Sequence, residues 1–177
     1  GIAVKIGDDD AGQAVRHARL IRRHWHVVFR HRWEMQIRPA LRTLHAGDIF
    51  ARKGLPFLDA NTGGSGVAIA DSLQKAYDTI KNVDMIITGH STQMTWADLR
   101  EYIAFNRDFL NDVRAAKQAG KTVDDVAGTW KIPSKYVGYA TPHDRLKANV
   151  QVVFDELNAA RSSPTTARPS PAAAPSR

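Results

Sequence analysis

The chain has 177 residues, no cysteine and a formal charge of +7 at pH 7. That length suits one domain with a sizeable core, and the missing cysteine excludes disulfides and any zinc site built on thiolates. No stretch reaches the roughly 20 apolar residues of a membrane span, and residues 1–20 lack the apolar core of a signal peptide, so a cytoplasmic location is expected and a membrane is not.

The positive charge belongs to the two ends. Residues 1–47 carry nine Lys and Arg against four acids, 48–160 carry thirteen against fourteen, and 161–177 carry three Arg and no acid. A near-neutral centre is a poor polyanion surface, so nucleic acid is not the expected partner of the body.

Residues 1–36 form an atypical basic segment. Arg16, Arg19, Arg22, Arg23, Arg30 and Arg32 crowd it, with apolar Val15, Leu20, Ile21, Trp25, Val28 and Phe29 at a rough helical spacing. Three readings stand: an amphipathic helix for RNA or an anionic membrane, a solvated cationic or disordered lead-in, and off-frame translation of GC-rich DNA.

From residue 37 to residue 160 the pattern becomes orderly. Residues 41–46 read as a buried strand. Residues 53–64 read as a loop rich in Gly, Pro, Asp and Asn. A helix is expected from about 65 to 81 with Ile69, Leu73, Ala76, Tyr77 and Ile80 on one face, followed by a strand at 83–87. Thr95 and Asp98 predict a capping box for a long helix ending near Gly120, and Thr122 opens a shorter one. A final helix is expected with Thr141 as cap and Pro142 at its first position. Residues 161–177 hold only Ser, Thr, Pro, Ala and Arg and are expected to be disordered. Strand, helix, strand, helix is an α/β signature, and ligands in such sheets gather at the carboxyl ends of the strands.

Both apolar strands run into a Gly and then a metal-ligand residue: Gly47-Asp48 and Gly89-His90. A carboxylate and an imidazole are donors for a borderline metal such as zinc, and one carboxylate can contact two cations. Each also has an ordinary reading, a turn Asp and a hydrogen-bonded loop His. His45 falls on the opposite side of its strand from Leu44 and Ala46 and is read as structural. His143 is expected to be solvated. The stretch Gly63 to Gly66 lacks the Lys and spacing of a phosphate-binding loop and is a candidate border of a cleft, with Tyr136 and Tyr139 candidates for lining it.

These residues, in this order, resemble the metallo-β-lactamase superfamily. "HAGDIF" is similar to its fourth motif, "MIITGHS" to its fifth, and "KGLPFLDANTGGSG" to the loop between them. The likeness continues through "TWADLREYIAFNRDFLNDV", "AAKQAGKTVDDV" and "KYVGY", from about Ile37 to about Asn158. The family's His-x-His-x-Asp-His run is absent. His24-Trp25-His26 imitates its start, but Val28 and Phe29 stand where the Asp and His would follow. The further His expected before Pro39 is absent too.

The resemblance implies the C-terminal half of an αββα sandwich and a dinuclear zinc hydrolase of esters, thioesters, amides or phosphoesters. Asp48 and His90 are its metal ligands on this resemblance, and a small molecule its substrate. An Asp in place of Cys at position 48 resembles thioesterases of the hydroxyacylglutathione hydrolase kind more than zinc β-lactamases. With two of the usual ligands, weak metal binding and little or no turnover are expected. A half-sandwich also implies a partner chain or second copy over the open sheet face. The competing reading is a non-catalytic module whose basic N-terminal helix docks to nucleic acid or an acidic partner.

Overall fold

Strand alternation decides what this chain buries. Leu44 and Ala46 point to one side and are buried, while His45 between them is exposed. The computed structural model describes residues 3–6, 25–28, 34–60 and 64–162. Five strands form one sheet in chain order: β1 (Ala3–Ile6), β2 (Trp25–Val28), β3 (Glu34–Arg38), β4 (Thr43–Gly47) and β5 (Met85–Thr88). The first four pair antiparallel, and β5 pairs parallel to β4. Parallel neighbours need a crossover, which the chain makes through α1 (Ile69–Thr79). The architecture is mixed α/β, as the alternating pattern predicted.

Met35 and Ile37 of β3, Leu44 and Ala46 of β4 and Ile86 of β5 are buried in one cluster with helix residues. Those residues include Leu73 and Ala76 of α1, and Leu99, Ile103, Leu110 and Val113 of α2 (Trp96–Gln118). Each such aliphatic side chain contributes about 1.5–3 kcal/mol when fully buried. α3 (Val123–Thr129) and α4 (His143–Ser162) complete the layer, with Leu146, Val150, Val153 and Phe154 buried along α4. The other face of the sheet leaves Arg38, His45 and Ile87 exposed. No helix among the described residues is long and apolar enough to cross a membrane.

Several expected boundaries move, each for a local reason. Residues 25–28, for which a basic helix was one of the readings, form a strand, with Trp25 opposite Ile37 and Val27 opposite Met35. β-branched Val27 and Val28 suit a pleated pairing better than a loosely spaced helix. The rest of that expected helix, residues 61–63 of the loop and the tail from 163 lie outside the described residues. The strand expected at 41 begins at Thr43, because Pro39–Leu41 is a 3-10 turn and Arg42 has φ +48°. Helix α1 starts four residues late. Glu156 Oε2 accepts from both the Ser65 hydroxyl at 3.0 Å and the Val67 N–H at 2.9 Å, and this holds the preceding turn. Thr141, expected to cap α4, lies ahead of its first residue, and its hydroxyl accepts the Leu55 N–H at 3.1 Å.

The α2 cap is as expected. Thr95 N–H donates to Asp98 Oδ2 at 2.7 Å, and Asp98 N–H donates to Thr95 Oγ1 at 3.2 Å. Lys53 Nζ lies 2.7 Å from Asp98 Oδ1 and 3.3 Å from Glu101 Oε2, which ties the loop after β4 to the start of α2. Burial raises the Asp98 carboxyl pKa, but the Lys53 ammonium and the Thr95 donors outweigh it and hold it at about 2. A depressed carboxyl stabilises the fold above its unfolded value and loses that contribution as pH falls through the folded one. Asp98→Ala should therefore cost about 1 kcal/mol at pH 7. It should also flatten the stability loss of the parent between pH 4 and pH 2, read from urea midpoints across that range. A variant as acid-sensitive as the parent would refute the assignment.

Candidate functional site

Two buried aromatic and aliphatic anchors set the position of Asp48. The strand β4 ends at Gly47, whose φ of +50° turns the chain into the short 3-10 turn Asp48–Phe50. Such a φ is adopted readily by glycine and at a steric cost by residues with a Cβ. Ile49 and Phe50 of that turn are buried, and Phe50 stacks on Tyr102 of α2 with ring centroids 4.4 Å apart. Burial of these two leaves the Asp48 side chain at the surface.

The loop carrying His90 is closed from within. Thr88, buried at the end of β5, accepts the Ser91 N–H at 3.1 Å, and its hydroxyl lies 3.0 Å from Ser91 O and 3.2 Å from Thr92 O. Ile86 and Met94 exchange backbone hydrogen bonds at 2.7 and 2.9 Å, pinching the base of the loop. His90 N–H donates to Ala51 O at 3.1 Å, which joins the two strand-end turns.

The parallel pairing of β4 and β5 thus brings both predicted residues to one sheet edge. His90 Nε2 lies 3.0 Å from Asp48 Oδ1, and both side chains are about half exposed. Gly89 makes room for this. A Cβ there would come within 2.1 Å of Asp48 Oδ1 and 3.0 Å of the Gly47 carbonyl.

Beside the pair lies a cleft of about 310 Å³. Asp48, His90, Arg52 and Arg145 give it polar groups, and Leu55, Phe57 and Tyr102 give it apolar walls. Arg145 stacks over the Phe57 ring, 4.6 Å from its centroid. The Tyr102 phenol is fully buried, and burial pushes its pKa up, so it stays neutral. The loop that supplies Arg52 to Phe57 is pinned from three sides. Ala140 N–H donates to Lys53 O at 3.1 Å, Leu55 N–H reaches Thr141, and Asn149 Nδ2 donates to Pro56 O at 2.9 Å.

Other sequence candidates fall elsewhere. Tyr136 and Tyr139 pack in an aromatic cluster with Phe105, and Tyr136 donates to Asp108 Oδ2 at 2.6 Å. Ser65 is engaged by Glu156, Gly64 N–H donates to Asp59 O at 2.8 Å, and Gly63 lies outside the described residues. His45 sits on the exposed sheet face and His143 is exposed. Sequence reasoning missed Arg52, Arg145 and Lys53. Arg52 and Lys53 follow the Asp48 turn closely and were open to a local reading. Arg145 reaches the cleft only through the tertiary fold.

Asp48 and His90 offer the right donor atoms for zinc but not the number. Catalytic zinc sites take three protein ligands and structural ones four. Among the described residues no group of three or more His, Cys, Asp or Glu side chains is placed to hold a metal ion. The described donors do not fit a self-sufficient zinc site.

No family model and no curated protein matches the chain. Among solved structures it is similar to the stereoselective inverting sec-alkylsulfatase Pisa1 from Pseudomonas sp., at 18% identity and a TM-score of 0.53. That match covers 74% of this chain and 24% of the sulfatase. A double mutant of that enzyme matches at 20% identity and a TM-score of 0.50, covering 75% and 24%. The chain thus spans about a quarter of the length of the structures it matches. They are metallo-β-lactamase-fold enzymes, and at these identities the likeness is one of fold.

Gly89→Ala is expected to separate the pair. The Asp48 carboxylate must rotate away, the Gly47 backbone must shift, and stability should fall by about 1–3 kcal/mol. Nitrogen chemical shifts of the His90 ring report the lost contact with the carboxylate, and unchanged shifts would contradict the close approach.

Proposed function

We propose that this chain carries part of the catalytic cleft of a metallo-β-lactamase-like hydrolase, with Asp48 and His90 as its contribution to a divalent metal site. The supporting observation is their 3.0 Å approach at the carboxyl ends of adjacent parallel strands, where α/β sheets gather ligands. The fold likeness to an alkylsulfatase agrees with this. The substrate class on this reading is an ester, thioester, amide or phosphoester.

The chain's own residues have defined tasks. Asp48 Oδ1 lies 3.0 Å from His90 Nε2, and this approach holds the carboxylate and the imidazole side by side. Gly89 leaves the space that lets the two groups meet. Leu55, Phe57 and Tyr102 present apolar surface beside them and limit the water that reaches a bound substrate. None of these groups replaces the missing donors, so the chain by itself turns over little or no substrate.

Zinc titration of the full chain against a chromophoric chelator tests the ligand assignment. Weak binding is expected, and Asp48→Ala and His90→Ala should each weaken it further by about 10-fold or more. Binding that is indifferent to both substitutions rules out the two residues as ligands. Hydrolysis of p-nitrophenyl acetate should not exceed the rate with zinc alone. Zinc-dependent turnover abolished by either substitution would overturn the expected inactivity while keeping the ligands.

A further inference from the structure

We propose that the cleft beside Asp48 and His90 binds an organic oxyanion, with Arg52 and Arg145 holding the charged head and Leu55 and Phe57 contacting an apolar body. Both guanidinium side chains line the same cleft of about 310 Å³ as the Asp48–His90 pair. That volume lies at the lower end of the ~300–1,000 Å³ of small-molecule pockets, so the body is short.

Charge pairing sets these two arginines apart from cations close by. Lys53, next to Arg52, has both Asp98 and Glu101, and Lys147, two residues past Arg145, has Asp124 at 2.6 Å. Arg107 and Lys135 have Asp71 and Asp108 at 3.2 and 2.6 Å. Neither Arg52 nor Arg145 has a carboxylate within ion-pairing distance among the described residues. Asp48 lies in the same cleft, but its Oδ1 receives His90 Nε2 instead. Two cations therefore share a concave surface on which, among the described residues, the one carboxylate lies against His90.

Their settings suit recognition. The backbone at Arg52 is held on both sides, by the Ala51 carbonyl that accepts from His90 and by the Lys53 ion pairs. Arg145 is half-buried and stacked on Phe57, which orients its planar fork and fills part of the apolar wall. A guanidinium presents parallel N–H donors to the oxygens of a carboxylate, sulfate or phosphate and sheds water more readily than an ammonium.

This inference deepens the hydrolase reading by giving its substrate an anionic group, yet binding of that group requires no metal. The test is calorimetric titration of the full chain in chelator with hexanoate, hexyl sulfate and neutral hexan-1-ol. Either anion should bind at least about 10-fold more tightly than the alcohol and weaken as salt is raised. Arg52→Gln and Arg145→Gln should each reduce anion affinity by about 10-fold, with an unchanged circular dichroism spectrum. Arg100→Gln, on the exposed side of α2, should leave it unaltered. Equal binding of alcohol and anion, or a double Arg52→Gln, Arg145→Gln variant that retains the parent affinity, would overturn the proposal. Zinc binding indifferent to Asp48→Ala and His90→Ala, with anion binding intact, would instead remove the ligand assignment alone.

Discussion

The site depends on an absence of atoms at position 89. β4 and β5 run parallel, so their carboxyl ends emerge side by side, and the side chains that follow compete for the same space. Asp48 occupies that space because Gly89 has no Cβ to fill it. His90 is then close enough to donate to the carboxylate. The two turns are also linked through the backbone, from His90 N–H to Ala51 O, so neither can move without the other. A candidate pair with side chains half exposed to water is in this way held by buried neighbours: Ile49 and Phe50 beneath Asp48, and Thr88 beneath His90.

A second constraint gives the pair a cleft. The loop after Phe50 would be free chain if its sequence were judged by Gly and Pro content alone. Lys53 binds it to the first turn of α2, Thr141 takes the Leu55 N–H, and Asn149 of α4 takes the Pro56 carbonyl. These contacts come from three segments far apart in sequence. Together they convert a connecting loop into a wall, with Arg52 and Phe57 placed on its cleft side.

That division explains what could be read from the sequence. Capping boxes at Thr95–Asp98 and Thr122–Asp125 are local and were legible, as were the apolar face of α1 and the alternation that exposes His45. The convergence of Asp48 and His90 was legible because two apolar strands each ended in a Gly, and parallel pairing brings such ends together. Three things were not legible. The start of α1 depends on Glu156, 91 positions away, which holds the Ser65 turn. The cap role of Thr141 yields to a demand from Leu55. Arg145 joins the cleft through the docking of α4, and no local pattern marks it. Trp25–Val28 shows the opposite failure, where a rough helical spacing was outweighed by pairing with a neighbouring strand.

The charge pattern follows the same logic at a coarser level. The centre of the chain is nearly neutral in composition, and some of its charges are paired by the fold: Lys53 with Asp98, Lys135 with Asp108, Lys147 with Asp124. A neutral total therefore hides a local imbalance. Where a cleft holds cations that the fold has not paired, the field inside it is positive whatever the sum over the domain. Asp48 offsets one of the two guanidinium charges of Arg52 and Arg145 and leaves the three groups with a formal excess of one positive charge. An anion entering such a cleft supplies the partner that Lys53, Arg107, Lys135 and Lys147 obtain from their own neighbours.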